Sequence, residues 1–187
     1  MNPHRYILNR TWNAQHRGIV NFIMLNPSTA DDVFDDATIR RCIGFAKRWG
    51  FSGLVVTNLF AFRATDPKDL RKLAATNPAY AVGDGNTDWI EQEAAKAEAV
   101  VCAWGNGGGL LGRDLWIANR LLENHDLLCI RRTKEGNPVH PVREPYTDAP
   151  EAFMYRRLAP KNGMESEELD FAGGSASDGI PQGGARE

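Results

Sequence analysis

Four apolar runs of strand length recur along the chain, at residues 19–25, 54–60, 99–104 and 126–130, and the segments between them carry helical periodicity. That alternation constrains the fold more than any other feature. Strands separated by helices pair in parallel, and a parallel sheet needs apolar cover on both faces. In residues 37–49, Ile39, Cys42, Ile43, Ala46 and Trp49 recur at helical spacing until Gly50 stops the run. Asp66-Pro67 supplies the cap and first turn of a second helix through Ala75, and Asn86 is read as the cap of a third through Ala97. Residues 110–123 make a fourth, with Leu111, Leu115, Ala118 and Leu122 on one stripe. "RYILNRTW" adds an edge strand ahead of Ile19, and residues 150–158 a closing helix. The expected architecture is a three-layer α/β sandwich around a central, mostly parallel sheet of four to five strands, in one domain over residues 1–160.

A chain of 187 residues suits one such domain with a substantial core. No apolar run approaches the roughly 20 residues that span a bilayer, and the N-terminus lacks the apolar segment of a secretory signal, so a cytoplasmic protein is expected. Cys42, Cys102 and Cys129 are odd in number, far apart and set among apolar neighbours, the pattern of reduced core thiols rather than of disulfides or a metal cluster. The net charge of −2 is unevenly spread: from Lys161 onward there are two bases and six acids, which leaves 20 bases against 18 acids before it. A body of slight positive charge is compatible with a nucleic-acid face without arguing for one. Residues 161–187, acidic and rich in Gly and Ser, are expected to be a disordered tail.

In open α/β sheets ligands bind just beyond the carboxyl ends of the strands. Here the first run ends in Asn26-Pro27-Ser28-Thr29, the second contains Asn58, the third ends in "AWGNGGG", and the fourth runs out into "RRTKEGNPVHPVREPY". Asn before Pro is a common turn as well as a site element. An amide inside an apolar strand, such as Asn58, is either satisfied structurally or aimed at a ligand, because an unpaired buried amide costs about 1–3 kcal/mol. His140, between Pro138-Val139 and Pro141, is either a surface-loop histidine or an imidazole held by restricted backbone. "GNGGG" lacks the Lys-Ser/Thr and the spacing of nucleotide-cofactor loops, and its glycines suit close approach of backbone to a phosphate or base. Asp31, Asp32, Asp35 and Asp36 read as capping and solvating acids ahead of a helix rather than a metal site. Arg40, Arg41, Lys47 and Arg48 read as a solvated helix face.

Taken in order, "MLNPS", "VVTNLF", "VCAWG" and the late "HPV" resemble the motifs of the uracil-DNA glycosylase superfamily. The fuller pattern resembles its bacterial and phage branch known as DUF1643, over about residues 19–146. The Asn-Pro pair resembles the mismatch-specific branch. This resemblance implies a hydrolase of N-glycosyl bonds that flips a nucleotide out of DNA and leaves an abasic site, with no metal and no redox cofactor. It implies that Asn26 holds the attacking water, His140 donates to the departing base, Asn58 reads the base edge, and Pro27, Ser28 and Thr29 line the base pocket. Because Asn26 is a poorer general base than a carboxylate, either Asp36 assists the water or the enzyme relies on a good leaving group, while Gly105, Asn106, Gly107, Lys134 and Arg143 would contact DNA. Uracil-specific relatives have a tyrosine where this chain has Ser28, so a bulky 5-modified pyrimidine should fit, as in phage DNA, and a defensive role against such genomes follows. The expected partner is double-stranded DNA carrying modified bases, with no membrane and no obligate protein partner. Two other readings stand beside this one: a hydrolase of free nucleotides or nucleosides, and a non-catalytic module that binds modified bases.

Overall fold

The computed structural model describes residues 2–12, 17–28 and 35–153. Among these residues six strands form one sheet, in the order β1-β3-β2-β4-β5-β6. Its centre follows the apolar runs: β2 (Arg17–Met24), β3 (Phe51–Asn58), β4 (Ala99–Cys102) and β5 (Leu127–Cys129) pair in parallel. The helices α1 (Ala37–Arg48), α2 (Pro67–Thr76), α3 (Pro78–Val82), α4 (Asn86–Lys96) and α5 (Arg113–Leu121) occupy the connections.

The sheet is mixed rather than mostly parallel. β1 (Leu8–Thr11) pairs antiparallel with β3 at one edge, and β6 (Glu151–Ala152) antiparallel with β5 at the other. β1 follows the expected edge strand. β6 stands where a closing helix was expected, and the rest of that span, residues 154–158, lies outside the described residues, as does the tail. Hydrophobic patterning could not reveal β6, because both of its residues are exposed and its identity comes only from pairing with Leu128 and Cys129.

Strand alternation sorts the core into two. Val20, Phe22, Met24, Leu54, Val56 and Val101 pack with Ile39, Cys42, Phe45 and Ala46 of α1 on one face. Ile23, Val100, Cys102 and Leu127 pack with Leu70 of α2, Ile90 and Ala94 of α4 and Ile117, Ala118 and Leu121 of α5 on the other. The three cysteines are free and buried in these cores. Burial pushes the Cys129 thiol up to about 12 and raises the other two as well, so all three remain protonated and inert near neutrality.

Two helix readings needed correction. α5 begins at Arg113, after a 3₁₀ turn at Leu110–Gly112 in which Leu111 and Gly112 have positive φ, and its buried residues are Arg113, Asp114, Ile117, Ala118 and Leu121. Of the expected stripe only Ala118 is buried: Leu111 and Leu122 are exposed and Leu115 is half-buried, their places in the core taken by Asp114, Ile117 and Leu121. α4 is preceded by Gly85 as its N-cap, and Asn86 serves the neighbouring strand instead.

Candidate functional site at the carboxyl edge of the sheet

The connection after β2 goes to α1 on one face, whereas that after β4 goes to α5 on the other. The crevice between the ends of β2 and β4 is thus the topological switch point of the sheet, the usual ligand position in doubly wound folds. Asn26, Pro27 and Ser28 follow β2, Asn58 ends β3, Gly105–Gly107 follow β4 and the segment to His140 follows β5, so parallel pairing carries all of them to one edge.

The ends of β2 and β3 are stitched together beyond the sheet. Leu59 N donates to Met24 O, Phe60 N to Leu25 O and Ala64 N to Pro27 O. Asn26 closes this stitch: its Nδ2 donates to Ala64 O at 2.8 Å and to Pro27 O at 3.0 Å. Two carbonyls facing one amide nitrogen fix the orientation of the side chain and leave Oδ1 as its remaining polar atom, an acceptor only. An amide ends this strand because a carboxylate would have no proton for either carbonyl.

Asn58 is 1% exposed, and its Nδ2 has no hydrogen-bond partner among the described residues. It pairs in register with Met24 and shares the parity of Leu54 and Val56, which places it on the α1 side. Its backbone is held from the other face, where Asn86 Nδ2 donates to Asn58 O at 3.0 Å and to Leu59 O at 3.1 Å. Arg113 Nε also donates to Leu59 O, at 3.3 Å. Asn86 was read from the sequence only as a helix cap and Arg113 was not singled out; the only signal was that each stands at the start of a helix.

Beyond β5 the chain makes a short tongue. Arg132 bridges Pro138, Thr133 N donates to Asn137 O and Val139 N to Arg131 O. Pro138 and Val139 are buried on return, so His140 comes back to the sheet edge rather than trailing on a surface loop. A Cβ built on Gly105, whose φ is +67°, would sit 3.5 Å from His140 Cβ. Nδ1 of the ring faces the N–H of Val142 at 3.4 Å, so the proton of the neutral imidazole belongs on Nε2. Burial lowers the pKa of the ring below its ordinary value, and the charge of Asp36 raises it in part. Asp36 is the N-cap of α1, where Oδ1 accepts from Ile39 N at 2.8 Å.

The remaining candidates divide. Pro27 is buried and Ser28 half-buried at the end of the stitch, while Thr29, Asp31 and Asp32 lie outside the described residues. Gly107 lies against Leu25 and Gly108 against the Trp104 indole, so these glycines permit close packing within the protein. Asn106 is committed on both sides of its amide to the tongue, while Lys134 and Arg143 are exposed on the rim. Arg41 is not part of a solvated face: it donates to Glu144 O and lies 3.7 Å over the Tyr146 ring. A groove lined by Glu91, Ala95, Arg120, Leu121 and His125 lies at the opposite edge and contains none of these residues. No helix among the described residues is long and apolar enough to cross a membrane.

Fold and edge together define a mixed α/β protein with a doubly wound parallel centre and a polar crevice at its switch point. Residues 5–142 match the family described as DUF1643, a protein of unknown function, and the chain belongs to it. No curated protein and no solved structure gave a significant match.

Proposed function

We propose that this chain is a DNA glycosylase that flips a 5-modified pyrimidine into the crevice and hydrolyses its N-glycosidic bond. The observation that carries the reading is that three side chains at one edge each retain an uncommitted atom of the required polarity. Asn26 offers an acceptor, Asn58 a buried donor, and His140 an Nε2–H. In this scheme Asn26 Oδ1 accepts from the attacking water, whose oxygen bonds to the sugar C1′ as the C1′–N bond breaks. The bonding pair leaves with the base, and His140 Nε2–H donates to the base oxygen on which charge develops. Asn58 Nδ2 donates to a carbonyl on the base edge. The water's proton passes to solvent or to the Asp36 oxygen that does not cap α1. Ser28, small and half-buried, leaves room beside C5, which favours a bulky substituent and, with it, action on modified phage DNA.

A second reading, a module that binds modified bases without cleaving them, is favoured by one observation: Asp36 is engaged as a helix cap, and Asn26 cannot act as a base. Incubation of the protein with DNAs of differing pyrimidine modification, followed by assay for abasic sites, separates the readings. Base released from duplex supports the glycosylase, and binding without release supports the module. Release only from mononucleotides supports a nucleotide hydrolase.

A further inference from the structure

We infer that Asn106 is a positioning residue for His140: it ties the turn after β4 to the tongue after β5 and so fixes where the imidazole sits. Its Oδ1 accepts from Thr133 Oγ1 at 2.9 Å and from Asn137 Nδ2 at 3.1 Å, while its Nδ2 donates to Glu135 Oε2 at 3.1 Å. The tongue tip, residues 133–137, has no buried side chain, so no apolar contact holds it down. Its base is held separately, by the Arg132–Pro138 bridge and by the Arg131–Glu144 ion pair at 2.6 Å. Both ends of the Asn106 tie lie close to the histidine. Gly105, the preceding residue, is the one whose Cβ would meet His140, and Asn137 precedes the buried Pro138-Val139 pair that delivers it. A swing of the tongue away from the β4 turn would therefore open the ring to water.

The inference depends on the glycosylase reading only for what His140 does; the tie itself can be tested without it. The charged residues on the elements around the ring are Asp36, Arg40, Arg41, Lys47 and Arg48 of α1 and its cap, Arg131, Arg132, Lys134 and Glu135 of the tongue, and Arg143 and Glu144 beyond it; of these, Asp36 is the one whose charge bears on the ring. Asn106→Ala changes no charge. In the free protein, followed by NMR of the imidazole, it should move the His140 midpoint up toward the ordinary value, as partial rehydration of a buried ring does. The His125 ring, at the far edge, serves as the internal reference and should not move. The paired exchange Asn106→Asp with Glu135→Gln reverses one donor–acceptor direction, preserves all three hydrogen bonds and keeps net charge, so it should bring the midpoint back below the ordinary value. An unchanged midpoint in Asn106→Ala, or no recovery in the paired exchange, overturns the inference. If the parent releases base, Asn106→Ala should also lower kcat with KM little changed. If the parent releases none, the titration arm still decides the role of Asn106.

Discussion

The two halves of the crevice are built by different means. On the β2–β3 side, backbone hydrogen bonds continue past the end of the sheet and Asn26 locks them from within, so the wall is an extension of the core. On the β4–β5 side, the turn and the tongue meet through solvent-exposed side chains gathered on Asn106. Exposed hydrogen bonds exchange readily with water and each adds little net stability, whereas buried ones are costly to break. The first half is therefore rigid and intolerant of substitution, and the second can be loosened without unfolding the protein. A water-holding group belongs on the rigid side, and a donor that must meet substrates of varied size can sit on the adjustable one.

The sharpest break in this contrast should come at Asn26. Asn26→Asp would set a carboxylate against two carbonyls, costing about 3 kcal/mol of stability, visible as a lowered Tm, together with loss of base release. Asn26→Ala should abolish release while duplex binding persists, since phosphate contacts supply most of the affinity. An Asp variant as stable as the parent would mean that the stitch is not the structural wall described here.

Next comes the adjustable side. His140→Ala should slow base release by roughly 10²-fold, as loss of one transition-state donor does, with Tm little changed. Because the folded ring has a lowered pKa, the unfolded chain binds the extra proton first as pH falls. The stability the ring confers is complete above the ordinary value near 6.5 and is lost as pH falls through the lower folded value. The His140→Ala variant should show a flatter dependence of Tm on pH below 6.5 than the parent, and parallel curves would show that the ring is not buried.

Ser28→Tyr tests the space at the end of the stitch. It should reduce release of a bulky 5-modified pyrimidine much more than that of the plain base, because a packed wall does not absorb a ring cheaply. Equal handling of the two duplexes would place Ser28 away from C5.

The smallest effect has the most diagnostic sign. Asn58→Leu removes a buried donor without a partner, so it should leave stability unchanged or raise it by about 1 kcal/mol while eliminating base recognition. A loss of several degrees in Tm would mean that Asn58 is satisfied within the fold.

These contrasts mark what patterning could and could not reveal. The four parallel strands and α1 were legible because burial forces apolar residues into the period of each element. The short edge strand β6 and the 3₁₀ entry to α5 were not, since the first is defined by pairing partners and the second by backbone angles at Leu111 and Gly112. At the site, Asn26, Asn58 and His140 stood out as polar residues at strand ends. What remained hidden was the division of their atoms: which side-chain atoms are already committed depends on Ala64 O for Asn26 and on the Val142 N–H for His140, neither of which has a sequence signature.

The rigid half of the crevice leans in turn on the edge of the sheet. Arg5 N donates to Ala61 O, His4 bridges Phe62 and Arg63 N donates to Pro3 O, so the segment that ends in Ala64 is braced by the residues leading into β1. An edge strand with one neighbour opens more often than the strands inside. Amide exchange at Arg63, whose N–H donates to Pro3 O, should therefore keep pace with β1 rather than with β2, and the brace on the segment that positions Asn26 lasts only as long as the first strand stays docked.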